Sequence, residues 1–105
     1  MKINNFIYLF NNFIGGADDD GVYKMFNDLN LNDLKQRRIF IKKELYPFFQ
    51  TQFNEDQKLE LKNELSFLFE INPDIDREIN NQLFPFEFPQ NKTLLYQDIK
   101  SILYD

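Results

Sequence analysis

The chain is predicted to be all-α, a compact bundle of about five to six short helices with one extended Phe/Pro segment. Three observations predict this. Apolar residues recur at spacings of three and four in one stretch after another. Those stretches are separated by Asn, Asp, Gly or Pro, the residues that start and stop helices. Strict apolar–polar alternation, the mark of a half-buried strand, is almost missing. With 105 residues there is material for one core and not for two, so residues 1–105 are expected to form a single helical domain.

Each element has its own signal. Ile3, Phe6, Ile7, Phe10, Phe13 and Ile14 mark one buried face of an opening helix. Gly15 and Gly16 stop it, because Gly enters the left-handed conformation of a helix end without steric cost. Asp18, Asp19 and Asp20 open a second helix, where carboxylates accept from free N–H groups, and Val22, Met25, Phe26 and Leu29 form its inner face. Asn30 or Asn32 caps a third, carrying Leu34, Ile41, Leu45 and Phe48 inward. Pro47 kinks its end or begins a separate last turn, since it has no N–H for the ladder.

Asn54 followed by Gln57 is a variant of the capping box and starts a fourth helix, which buries Leu61, Leu65, Leu68 and Phe69. Asn72 and Pro73 give a cap with Pro at the first helical position, followed by Ile75, Ile79 and Leu83 on one stripe of a fifth. Asn91 caps a sixth, with Leu95, Ile99, Ile102 and Leu103 inward. Between the last two, Phe84-Pro85-Phe86-Glu87-Phe88-Pro89 alternates aromatic residues with Pro and Glu and is read as extended. Its three Phe side chains either form a lid on the bundle or make an exposed aromatic hook for a partner.

The residues available leave little room for catalysis. There is no His and no Cys, which removes the commonest general base, the thiolate nucleophile and any disulfide or thiolate metal site. Hydroxyl nucleophiles are confined to Thr51, Ser66, Thr93 and Ser101, and the three Gly residues make no phosphate-cradling loop. Asp18-Asp19-Asp20-Gly21 resembles part of a calcium loop. With Gly21 at the sixth position, however, Gly16 and Asn27 fall where carboxylates are required. No enzyme activity, cofactor or metal is expected. No run reaches membrane-spanning length, and four Asn residues interrupt the apolar N-terminus where a signal peptide would be continuous. A cytoplasmic monomer is the expectation.

Charge is unevenly distributed. Lys35, Arg37, Arg38, Lys42 and Lys43 load the third helix, whereas residues 54–88 hold nine acids against three bases. That segment alone is more negative than the whole chain, whose net charge is −5. Some of these charges are an ordinary solvated helix surface. Glu70, Asp74, Asp76 and Glu78 form a denser group than helix-dipole stabilisation requires. An acidic surface repels nucleic acid and steers a basic protein, so a protein partner is expected and no direct nucleic-acid binding. A helix-bundle DNA reader working through Arg37, Arg38, Lys42 and Lys43 would act against the field of the rest.

The opening amphipathic helix Ile3–Ile14, the acidic stretch Asp18–Asn30 and the closing Leu94-Leu95-Tyr96-Gln97-Asp98-Ile99-Lys100-Ser101-Ile102-Leu103 together resemble bacterial toxin-immunity proteins. The groups concerned are the colicin D-type and the contact-dependent growth inhibition immunity proteins, and the likeness covers under half the chain. It implies a cognate toxin domain, usually a basic nuclease, whose active site is covered by carboxylates standing where substrate phosphates would lie. The charge map, not the resemblance, assigns the toxin-binding surface to Glu70, Asp74, Asp76, Glu78 and Glu87, with Asp18, Asp19 and Asp20 as a second patch. Phe86 and Phe88 are its expected apolar anchors. The rival reading is a small phage or plasmid regulatory adaptor that works by oligomerising through its aromatic surface.

Overall fold

The computed structural model describes residues 4–16, 20–68, 84–89 and 92–104, and these are arranged as an all-α bundle. In chain order the helices are α1 (Asn4–Leu9), α2 (Asp20–Phe26), α3 (Leu34–Phe40), α4 (Tyr46–Gln52), α5 (Glu55–Leu68) and α6 (Lys92–Tyr104). A 3₁₀ turn, Asn11–Phe13, follows α1, and a π turn, Ile41–Leu45, joins α3 to α4 without a break. The fifth expected helix, with Asn72, Pro73, Ile75, Ile79 and Leu83, lies outside the described residues, as do Phe69 and the expected cap Asn91.

α6 is the central element, with α3, the π turn, α4 and α5 all leaning on it. Its buried stripe is Leu95, Ile99 and Leu103, as the spacing predicts. Tyr96, which that face leaves out, is also fully buried, edge-on to Phe6 at 5.4 Å. α1 packs across α5. Its first turn is held by α5 side chains: the Phe6 N–H donates to Glu64 Oε1 at 3.0 Å, and Asn5 Nδ2 donates to Glu60 and Glu64 at 2.9 and 2.8 Å. Free N–H groups at a helix start need acceptors, and here a neighbouring helix supplies them.

The opening helix is shorter than its sequence face. It gives way at Phe10 to the 3₁₀ turn, and Ile14 is extended and 38% exposed. The tighter turn still brings Phe13 inward, and Leu9, absent from the expected face, is buried. Gly15 does adopt the left-handed conformation, with φ of 77°. At Gly16 the reason for glycine is space. A Cβ there would stand 2.8 Å from Cδ of Pro85 and 3.0 Å from Cγ1 of Val22.

Three expectations around α2 and α3 are corrected. Met25 is 74% exposed, because it lies at the edge of the inner arc, ~60° around the helix from Val22. Leu34 is exposed at the first position of α3, and Leu31, in the preceding loop, fills the core instead. Asp33 is the cap, accepting from the Gln36 N–H at 2.9 Å, whereas Asn30 closes a turn by accepting from the Asn32 N–H. The Asn54–Gln57 box forms reciprocally, with bonds of 2.8 and 2.9 Å. Pro47 enters α4 directly after the π turn, where a widened helix accommodates the missing N–H and the ring.

The Phe/Pro segment is a lid. Phe86 is 6% exposed, Pro85 and Pro89 are buried, and Phe84 and Phe88 are half-buried against the core. Phe10 sits beneath it, ringed by Phe6, Phe40, Phe84, Phe86 and Phe88 at centroid distances of 5.3–6.5 Å. A core short of Ala and Trp is thus built from interlocking Phe rings in tilted, edge-on and stacked pairs. Glu87 is the outward residue of the lid, bridged by its backbone to Asn30.

Candidate functional site

The described surface holds two regions with the chemistry of a docking site. The first is the outer side of α5. Its inner side is committed: Leu61 and Leu65 enter the core, and Glu60 and Glu64 clamp α1. Its two lysines are drawn sideways onto aromatic rings, Lys58 Nζ lying 5.3 Å from the Phe49 centroid and Lys62 Nζ 5.9 Å from that of Tyr104. Tyr104 secures the same side by donating its hydroxyl to the Lys58 carbonyl. Burial pushes the Tyr104 phenol well above its usual range, and the Glu64 carboxylate acts in the same direction. Outward on this helix are Glu55, Asp56, Leu59, Lys62 and Asn63, with Leu59 61% exposed. Glu55 and Asp56 lie one turn before Leu59, so an apolar knob is bordered on that side by two carboxylates. Glu55 has only a long contact with Lys58, 3.8 Å.

The second region is a groove of about 280 Å³ between α2 and α3, lined by the apolar Met25, Phe26, Leu29, Ile39 and Phe40 together with Gln36, Lys43 and Glu44. Its lip is apolar, with Met25 and Ile39 both exposed. Ile39 has Lys35 one turn before it and Lys42 and Lys43 one turn after, all three exposed and, among the described residues, without a carboxylate in ion-pair range. Arg37 and Arg38 differ from these lysines. Arg37 is 3% exposed, its Nε 2.6 Å from Asp98 Oδ2 on α6 and its Nη1 3.1 Å from the Leu31 carbonyl. Arg38 contacts the same carboxylate at 3.5 Å. The basic run of α3 is therefore half structural, and a nucleic-acid reader would lose Arg37 and part of Arg38 to Asp98.

The residues assigned from the charge map fare unequally. Asp18, Asp19, Glu70, Asp74, Asp76 and Glu78 lie outside the described residues. Asp20 begins α2 and is exposed, and Glu87 is exposed at the lid. Phe86 is not an exposed anchor, because its ring faces inward against Phe13 and Phe40, and Phe88 is half-covered by Phe10. Leu59 was missed because it falls off the i, i+4 core stripe of α5. An apolar residue between acids, off that stripe, was the available signal. Of the hydroxyls, Thr51 and Ser66 are turned back onto the Pro47 and Lys62 carbonyls of their own helices. No helix among the described residues is long and apolar enough to cross a membrane.

Comparison of the chain with protein-family models, curated proteins and solved structures finds no match.

Proposed function

We propose that this protein is a toxin-immunity protein that binds a basic toxin domain, a nuclease in the reading the sequence resemblance implies, and neutralises it by covering its active site with an acidic surface. The observation that carries the reading is the segregation of charge. Residues 54–88 concentrate nine acids, and the described part of that segment presents Glu55 and Asp56 beside an exposed Leu59. Apolar anchors bordered by polar residues are the usual centres of protein interfaces, and a field of one sign accelerates encounter with a partner of the other. Leu59 takes the anchoring role expected of Phe86. Glu70, Asp74, Asp76 and Glu78 extend the same acidic segment along the chain.

The test is a growth assay. The C-terminal segment of the product encoded immediately upstream is expressed in a laboratory host with and without this protein. Rescue of killing establishes immunity, and Glu55→Lys/Asp56→Lys and Asp74→Lys/Asp76→Lys/Glu78→Lys variants then locate the surface. A harmless upstream product, or killing that co-expression does not relieve, overturns the proposal and favours the oligomerising adaptor.

A further inference from the structure

The groove between α2 and α3 has chemistry opposite to that of α5, and the geometry points to it as a second docking site, one that takes an acidic amphipathic helix from another protein. Four features lead there. The groove lies between two helices, the setting in which an amphipathic helix lays its apolar stripe against a partner. Its lip exposes Met25 and Ile39, while its floor is made by Phe26, Leu29 and Phe40, which also belong to or pack against the core. A floor anchored in this way stays in place when a ligand is absent. Met25 is unbranched and polarizable, suited to adapting its shape to an incoming apolar side chain.

Charge selects the occupant. Lys43 lines the groove together with Glu44, and Lys35 and Lys42 stand outside it, exposed and one turn from Ile39 at the lip. Three cations held in solvent beside an apolar lip favour carboxylates on either side of an apolar stripe, and disfavour the basic surface of a nuclease. A basic toxin engaged through α5 would therefore leave this groove free. The inference does not depend on the immunity reading, because it rests on groove residues that α5 does not contribute.

The experiment uses the full chain and two synthetic helices of about five turns. Both carry Leu at i, i+3, i+4 and i+7; one is flanked by Glu and the other by Lys. Binding of each labelled peptide is followed by fluorescence anisotropy at low and at high salt, with analytical ultracentrifugation of the protein alone. The expected result is saturable binding of the Glu-flanked peptide that weakens with salt. Met25→Ser/Ile39→Ser and Lys35→Gln/Lys42→Gln/Lys43→Gln variants should each lose about tenfold in affinity. Leu59→Ser should bind as the parent does. All the altered side chains are exposed, so far-UV circular dichroism should show unchanged folds. Absence of binding, equal binding of the Lys-flanked peptide, or binding undiminished by Met25→Ser/Ile39→Ser overturns the inference. So does a dimer of the protein alone that Met25→Ser dissolves, since the groove would then belong to a second copy.

Discussion

Replacing Arg37 by Met tests how the helices around α6 are held together. The substitution keeps an unbranched apolar stem of similar length in a buried position and removes only the guanidinium. Asp98 then keeps one cation, Arg38, at 3.5 Å on a side chain that is 42% exposed, and the Leu31 carbonyl loses its donor. The Asp98 side chain is only 14% exposed, so the lost partner is not fully replaced by water. Breaking a buried pair from one side costs about 3–5 kcal/mol, against ~0–1 kcal/mol for an exposed one. Arg38 moderates the loss, and about 3 kcal/mol is expected. That corresponds to a fall in melting temperature of at least roughly 12 °C for a domain of this size. Urea unfolding followed by circular dichroism at 222 nm measures it. The double variant Arg37→Met/Asp98→Leu should recover most of the loss, because neither charge is then left alone. A cost below about 1 kcal/mol for Arg37→Met, or a double variant as unstable as the sum of the singles, would refute the reasoning.

Three further outcomes follow from the geometry. Gly16→Ala should destabilise by about 1–3 kcal/mol in the same urea assay, since its Cβ would press into Pro85 and lift the lid; a neutral result would mean that the lid yields freely. Asn54→Ala removes the side-chain half of the α5 capping box and should cost about 1 kcal/mol, with Asn54→Asp close to the parent. Tyr104 governs the alkaline limb of stability. Its phenol has a raised pKa when folded, so its contribution is complete below the unfolded value of about 10 and declines as pH rises through the folded one. Tyr104→Phe should flatten the decline seen in chemical unfolding from about pH 10 upward, at a cost of about 1 kcal/mol at neutral pH from the lost hydrogen bond.

Where a signal is local, the sequence was readable. Asn54 and Gln57 act on each other within one turn, Gly15 answers a single backbone angle, and the stripe Leu95, Ile99 and Leu103 follows from helical spacing. What depends on which helices meet was not. Glu64 belongs to an acidic run that reads as solvated surface, yet its carboxylate holds the start of α1. Arg37 looks like one member of a basic patch until Asp98, 61 positions away, arrives beside it. Phe86 follows the same logic from the other side. Alternation shows that Phe84, Phe86 and Phe88 share a face, but only the position of Phe10 decides that the face is inward. The acidic α5 segment was legible as charge, and Leu59 as its exposed centre was not, because periodicity assigns core residues and ignores the remainder.

The π turn before Pro47 has a consequence for phase. Arg37, Ile41, Leu45 and Phe49 are all buried at a strict spacing of four. In a regular α-helix such a stripe precesses by ~40° at each step, so that three steps would carry Phe49 about a third of a circle away from Arg37. The wider π turn takes in more residues per revolution and cancels part of that precession where Ile41 and Leu45 lie. One irregular turn thereby keeps a long composite helix in step with α6. Deleting one residue from Ile41–Leu45 to restore a plain α-helix would rotate either Arg37 away from Asp98 or Phe49 away from Tyr104, whose ring it meets edge-on at 5.3 Å, though every side chain named would still be present.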